Sequence, residues 1–358
     1  MLSEQFQKLI FTNSVAEAID GWVAEAKPSK LFVVADSNTE SLCLPLVVEK
    51  SKTLAGAQVI VVPAGEEHKN LESLAHIWSE LCNGGATRSA AVVNLGGGVV
   101  TDMGGFAAAT FKRGIRFINV PTTLLASVDA AVGGKTGIDF NGFKNEIGAF
   151  CNADAVIIST LFFDTLPQSE RLSGFAEMIK HSLIAGGDAY SRLTRGWGMK
   201  MDGDEFLGLL KESVLVKKGV VEQDPTEKGL RKALNLGHTA GHAFESWALE
   251  QGKPVPHGYA VAWGLVVDMV LSHLRLGFPS DVLRSITAFI EENYGRIAIG
   301  CGDYDTLIDI MRHDKKNSGD GTISFTLLKA PGEVDVNCTA TPQEIAAALD
   351  IFRDLMHI

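Results

Sequence analysis

Cysteine is scarce and scattered in this sequence. Five of 358 residues are cysteine (Cys43, Cys82, Cys151, Cys301 and Cys338), odd in number and without a C-x-x-C pair. That usage excludes a disulfide framework and a cysteine-based structural zinc cluster, and it points to a reducing, cytoplasmic compartment. Long apolar runs are missing too. The longest, such as Tyr259 to Leu271, falls short of a bilayer span and contains Asp268. Met1 to Ile10 carries charge early and lacks an apolar stretch of the secretory kind, so no leader is expected. Cations are in deficit, 32 Lys and Arg against 43 Asp and Glu, for a net charge of −11. Such a chain is expected to bind neither nucleic acid nor membrane. An anionic small ligand would need locally clustered Lys and Arg.

What is present reads as a globular protein. Hydrophobic residues make up 46% and charged residues 21%, and the length suffices for two domains. In the first half, Leu31–Ala35, Gln58–Pro63, Ala90–Leu95, Arg116–Val120 and Ala155–Ser159 are short β-branched runs, the pattern of strands buried on both faces. Helical spacing between some of them, as at Leu71–Leu81, implies βαβ units and a mostly parallel sheet. Beyond about residue 165 the periodicity turns helical: Ser169–Ala185, Glu205–Val221, Thr239–Glu250, Val261–Leu276, Val282–Glu292 and Pro342–Met356. A small hairpin, Ile323–Leu328 and Val334–Val336, stands near the end. The expected organisation is an α/β domain over residues 1–166 and a mainly α-helical domain over 167–358.

Three segments carry chemistry. Asn94-Leu-Gly-Gly-Gly98 ends a strand and opens a helix expected at Val99–Thr110, with Asp102 in its first turn. Glycines there let main chain approach a pyrophosphate at a helix N-terminus. The alternative is a tight turn needing positive φ. Thr101 stands where the strict dinucleotide fingerprint has a third Gly or Ala. The second segment, Ser127 to Asp139, is polar and glycine-rich, and with it go Asp129, Lys135, Lys144 and Asn145. It reads either as a phosphate-binding loop or as a solvated surface loop. The third, Asn235-Leu-Gly-His-Thr-Ala-Gly-His242, places His238 and His242 four apart on one helix face, as a divalent metal would require. His257 adds an imidazole and Glu177 a carboxylate, and two His with one Glu leave an open coordination position. Against this stand a packed histidine pair and an exposed Glu177–Lys180 pair. Lys217, Lys218, Arg231, Lys315 and Lys316 are the local cations that a phosphate and a carboxylate would need. Arg113, alone, reads as a rim charge.

Taken together the segments resemble the 3-dehydroquinate synthase family of sugar phosphate cyclases. The resemblance rests on Gly96-Gly-Gly-Val-Val-Thr-Asp102, Phe111-Lys-Arg-Gly-Ile115, Pro121 to Asp129, Gly133-Gly-Lys-Thr-Gly-Ile-Asp139 and Lys144 to Phe150. It continues through Gly174 to Lys180, Gly229 to His238, His257-Gly258 and Asp314-Lys-Lys316, in order over nearly the whole chain. It implies an NAD-binding α/β domain, a helical domain and an active site in the cleft. Glu177, His238 and His257 would hold zinc or cobalt, which makes His242 a substrate residue and not a ligand. NAD contacts would come from Asp36, Glu66, Lys69, Gly97, Gly98, Asp102, Thr122, Thr123, Lys135, Lys144, Phe162 and Thr165. Substrate contacts would come from Asp129, Lys135, Asn145, Lys180, Lys217, Arg231, Asn235, His242 and Lys315. Arg113 would reach the neighbouring subunit of a homodimer.

The implied reaction converts 3-deoxy-D-arabino-heptulosonate 7-phosphate to 3-dehydroquinate and phosphate, with NAD regenerated each turnover. Rivals are a cyclase for glucose 6-phosphate or sedoheptulose 7-phosphate, a metal-dependent polyol or glycerol-phosphate dehydrogenase, and an inactive nucleotide-binding regulator. Retention of the His, Glu, Lys and Arg set speaks against the last. Two departures bear on the loop before His257. It is followed by Gly258-Tyr259 where the family commonly has Gly-Glu, and the stretch from His242 is long and carries Pro254 and Pro256.

Overall fold

The β-branched runs form a sheet because both of their faces find apolar cover. The structure is a computed structural model, and it describes residues 6–197, 203–225, 227–313 and 322–358. The chain divides into two units, residues 1–167 with 199–214, and residues 168–198 with 215–358. The linear boundary expected at 166 did not anticipate that 199–214 groups with the first unit.

The first unit runs β1 (Lys8–Phe11), α1 (Val15–Ala26), β2 (Leu31–Asp36), α2 (Ser37–Leu42), α3 (Leu44–Val48), β3 (Gln58–Val62), α4 (Leu71–Asn83), β4 (Ala91–Gly96), α5 (Gly98–Thr110), β5 (Arg116–Pro121), β6 (Lys135–Phe140), β7 (Phe143–Phe150) and β8 (Ala155–Ile158). Six strands form a parallel sheet in the order β1-β8-β5-β4-β2-β3. Along β2, Phe32 and Val34 pack into one core with Ile60, Ile77, Met103 and Phe106. Leu31 and Val33 enter the other core, with Ile19, Trp22, Val47 and Ile118. Successive side chains point to opposite faces, so a run buried on both cannot alternate with polar residues.

Two readings change here. β1 and α1 lie in a segment for which no element was expected. The segment expected as a phosphate loop or a solvated loop is in part an antiparallel ribbon, β6 with β7. It leaves Phe140, Phe143, Ile147 and Phe150 exposed.

The second unit contains α6 (Gln168–Ala185), α7 (Ala189–Arg195), the latter part of α8 (Asp204–Gln223), α9 (His238–Glu250), α10 (His257–Leu276), α11 (Ser280–Tyr294), α12 (Tyr304–Arg312), the ribbon β9 (Ile323–Ala330) with β10 (Glu333–Ala340), and α13 (Pro342–Leu355). α10 is the central helix, buried continuously from Ala260 to Ser272. By length and composition it passes as a membrane span, contrary to the expectation that no run is long enough. Its apolar surface is instead taken up by α6, α9, α11, α13 and β9.

Two glycines make that packing close. A side chain at Gly264 would start 2.0 Å from the Gly237 carbonyl oxygen, and one at Gly258 would start 2.0 Å from that of Ser173. At those crossings α10 meets the segment leading into α9, and α6, main chain to main chain.

Candidate active site

In the first unit the expected cofactor residues gather at one edge. Asp36 ends β2, Glu66 and Lys69 follow β3, Gly97 and Gly98 follow β4, Thr122 and Thr123 follow β5, and Phe162 and Thr165 follow β8. All five strands are parallel, so these are all carboxyl ends. The chain passes from β2 outward to β3 and then returns to β4 on β2's other side. That reversal is the topological switch point, where open α/β sheets bind ligands.

The glycine turn works by close approach and not by unusual dihedrals. None of Gly96, Gly97 or Gly98 has positive φ, which removes the tight-turn alternative. Gly97 is the N-cap of α5 at φ −71° and ψ −167°, with no side-chain cap. A Cβ on Gly97 would lie 3.1 Å from Thr123, and one on Gly98 3.2 Å from Ala130. A helix start without a side-chain acceptor, behind a turn of bare main chain, fits a pyrophosphate.

α5 starts at Gly98, so Asp102 lies in its second turn and not its first. Its carboxylate meets the Lys69 ammonium at 2.7 Å, and that ammonium also donates to Asn145 Oδ1 at 2.6 Å. Lys69 is 3% exposed. Burial pushes its pKa down, but the Asp102 and Glu66 carboxylates outweigh burial and hold it above the usual lysine value. Since an ammonium only donates, the Asn145 oxygen must face inward, leaving its amide NH₂ as donor. Asn145 is itself left-handed, at φ 52°, with its N–H donating to Asp139 at 2.7 Å.

The remaining residues of this unit are placed as follows. Asp36 Oδ1 accepts from the N–H groups of Asn38 and Thr39 and so caps α2. Phe162 is fully buried in the core beside Ile157, which leaves its main chain as the part able to meet a ligand. Asp129 lies on a π-helical turn, Ala126–Ala130. Lys135 and Lys144 are exposed on β6 and β7. Arg113 is exposed and left-handed at φ 68°.

In the second unit, Glu177, His238 and His257 bring donor atoms within 4.8 Å of one another. Glu177 sits on α6 and is fully buried, and Lys180, one turn on, is 1% exposed. The pair is therefore not the exposed one that spacing also allowed. The Lys180 ammonium lies against Glu177 Oε2. His238 Nε2 is 3.5 Å and His257 Nε2 3.8 Å from Oε1. Beyond the Lys180 ion pair, neither Glu177 oxygen has a hydrogen-bond partner among the described residues. A tetrahedral ion with ligands at about 2.0–2.1 Å sets its donors about 3.3–3.4 Å apart. Both imidazole nitrogens stand close to that spacing from a buried carboxylate oxygen, so the residues fit a divalent metal.

Both histidines are the first residues of their helices, so α10 begins four residues before the expected Val261. Gly237, left-handed at φ 78°, turns the chain into α9, and its N–H donates to the buried Asp268 carboxylate at 2.6 Å. His242 lies one turn further along α9, its ring centroid 5.4 Å from that of His238 and 5.9 Å from that of His257. It adjoins the donor set without entering it. The pairing of His238 with His242 that spacing suggested is thus replaced by the pairing with His257.

Lys217 and Arg231 are 6% and 4% exposed. Arg231 is on a 3₁₀ turn, Leu230–Asn235, so no continuous helix links it to His238. Its guanidinium donates to the Pro225 carbonyl at 2.8 Å. The Asp224 carboxylate receives the N–H groups of Lys228, Gly229 and Arg231 and so shapes this turn. Those bonds, led by the one from Gly229, hold its carboxyl below the usual range. Asn235 donates to Glu227 at 3.4 Å. Lys315 and Lys316 lie outside the described residues. Sequence reasoning missed Asp224, Asp268, Glu245 and the close-packing role of Gly258. Asp-Pro before a glycine is a turn signal, and Glu245, seven residues after His238, shares its helix face.

A dinucleotide-type sheet edge and a two-imidazole, one-carboxylate donor set define the class of NAD- and metal-dependent enzymes. The chain belongs to the 3-dehydroquinate synthase family. The family's N-terminal model matches residues 59–173 and its C-terminal model residues 174–317. The chain is 48% identical over 348 residues to 3-dehydroquinate synthase of Parabacteroides distasonis, covering 97% of this chain and 98% of that one. Among solved structures it is similar to 2-epi-5-epi-valiolone synthase of Streptomyces hygroscopicus with NAD⁺ and Zn²⁺ bound, at TM-score 0.83 and 24% identity, covering 99% and 98% of the two chains. It is also similar to 2-deoxy-scyllo-inosose synthase complexed with carbaglucose-6-phosphate, NAD⁺ and Co²⁺, at TM-score 0.79 and 22% identity, covering 97% and 96%. At these identities the likeness to both structures is one of fold.

Proposed function

We propose that the chain converts 3-deoxy-D-arabino-heptulosonate 7-phosphate to 3-dehydroquinate and phosphate. The observation that carries this reading is the 48% identity to a 3-dehydroquinate synthase along nearly the whole length of both chains. Fold alone would equally suit cyclases of other sugars. NAD, when bound, supplies a hydride acceptor that returns its hydride within the turnover, and a divalent metal supplies Lewis acidity at the substrate oxygens.

The chain's own residues bind and orient. Glu177, His238 and His257 hold the metal. Asp36, Glu66, Lys69, Asp102, Thr122, Thr123, Lys144, Phe162 and Thr165 serve NAD, with Gly97 and Gly98 offering main chain to its pyrophosphate. Lys135, Lys315, His242 and the outward-facing amide of Asn145 meet the phosphate. Asp129, Lys180 and Asn235 contact the sugar. Arg231 and Lys217 meet the carboxylate: both are buried, and a carboxylate is desolvated at little cost where a guanidinium fork and an ammonium receive it. The chain also forms a homodimer in the cytoplasm. The exposed, left-handed Arg113 is the residue it offers to its partner's phosphate site, and five unpaired cysteines suit a reducing compartment.

The test is phosphate release from the heptulosonate, glucose 6-phosphate and sedoheptulose 7-phosphate, side by side. The heptulosonate alone should react, with product far exceeding the NAD supplied; stoichiometric NADH would point to a dehydrogenase. Arg231→Ala should cost about 2–4 kcal/mol in transition-state binding, roughly 30- to 1000-fold in kcat/KM, while NAD and metal still bind. Comparable wild-type rates on a sugar lacking the carboxylate would overturn the assignment.

A further inference from the structure

We propose that Glu245 is a positioning residue of the metal centre. Its carboxylate fixes the tautomer and orientation of His257 and thereby sets metal affinity. The proposal rests on the reading of Glu177, His238 and His257 as the ligands. Glu245 Oε2 lies 3.0 Å from His257 Nδ1. A carboxylate accepts and the ring must donate, so Nδ1 carries the proton and Nε2 presents its lone pair. Nε2 is the atom that stands 3.8 Å from Glu177 Oε1.

His238 is oriented differently. Its Nδ1 faces the Leu236 carbonyl at 3.0 Å, a neutral acceptor two residues away in the same turn. The ring of His238 is thus set by its own local fold. His257 takes its support from a residue twelve positions earlier, across a connection containing Pro254 and Pro256. Glu245 stands seven residues beyond His238 on α9, about two helical turns along the same face. One helix therefore provides a ligand and the support for another ligand on the next helix. The pair is partly shielded, with side chains 20% and 30% exposed, and a carboxylate there holds the ring in one orientation. The long proline-bearing connection can then vary without moving the ligand.

The experiment measures zinc affinity of full-length, metal-stripped protein by chelator competition, and the visible spectrum of its cobalt form. Wild type is compared with Glu245→Leu, Glu245→Gln and His257→Ala. Glu245→Leu should weaken zinc binding about 10- to 100-fold and alter the cobalt bands. Glu245→Gln, whose amide oxygen still accepts from Nδ1, should fall between it and wild type. NAD affinity should be unchanged in both. If Glu245→Leu, or Glu245→Gln where the leucine variant does not fold, matches wild type in zinc affinity and cobalt spectrum, the proposal is overturned and the ligand reading stands. If wild type binds zinc no better than His257→Ala, both are overturned.

Discussion

The two units bury charge in opposite ways. In the first, the Lys69 ammonium is met by Asp102 at 2.7 Å and by Asn145 at 2.6 Å, so the buried cation is compensated within the chain. In the second, Glu177 is fully buried with Lys180 against one oxygen, no further hydrogen bond reaches either oxygen among the described residues, and two imidazole nitrogens stand 3.5 and 3.8 Å from the other. A buried charge is stable only when paired and hydrogen-bonded. The first cluster meets that condition by itself, whereas the second meets it fully only with a bound cation. A compensated cluster organises its surroundings, and an under-compensated one is a receptor.

The sharpest way to break this contrast is Glu177→Ala. It should strand Lys180 as an uncompensated buried cation, costing metal-free protein about 3–5 kcal/mol. It should also erase the stabilisation by zinc, which in wild type reaches about 2.7 kcal/mol at a hundredfold excess over Kd. Urea unfolding with and without zinc reads both, and a variant that keeps the zinc gain contradicts the receptor reading. Lys69→Met should cost about 3 kcal/mol by removing the buried ammonium that Asp102 and Asn145 receive, and it should weaken NAD binding while leaving the zinc gain intact. Adding Asp102→Leu should recover most of that stability, since an apolar pair can replace a buried ion pair; no recovery would mean that Lys69 acts otherwise.

Gly258→Ala should cost about 1–3 kcal/mol, because its Cβ would be forced against the Ser173 carbonyl. The displaced start of α10 should weaken zinc binding, with NAD affinity by fluorescence titration unchanged. The smallest effect is on pH dependence. Lys69 has a pKa raised by folding, so its contribution is complete below the unfolded value of about 10.4 and is lost as pH rises through the folded value. Wild type should therefore lose stability more steeply than Lys69→Met above about pH 10. Equal slopes would remove Lys69 from the account.

Legibility in the sequence followed the range of the interactions. The five β-branched runs became β2, β3, β4, β5 and β8 because burial on both faces leaves a continuous apolar signature. β1 has four residues and starts with an exposed lysine, too little pattern to read. The segment containing β6 was read as a loop because its apolar pattern is thin, with Ile138 as its buried core residue, and β7 was not assigned because it is exposed along nearly its whole length. In the site, His238, His257 and Glu177 were legible as residue types, while spacing favoured His242. Helical periodicity says which residues share one face but not which other helix that face meets.

By itself the sequence determined the kind of chemistry. It set an imidazole–carboxylate donor set, cations for an anionic substrate within an acidic chain, a glycine turn for a pyrophosphate, and strands that must be covered on both sides. These depend on composition and on neighbours within a few residues, where covalent geometry fixes the distances. Tertiary structure decided what spacing could not: that the His257 donor and not the His242 donor comes together with those of His238 and Glu177, that Asp102 is paired with Lys69, and that Glu245 meets His257. Each of those links residues brought together by a helix crossing or by strand order. At the Gly258 crossing the approach is so close that one methyl group on α10, next to His257, would stand 2.0 Å from the Ser173 carbonyl oxygen.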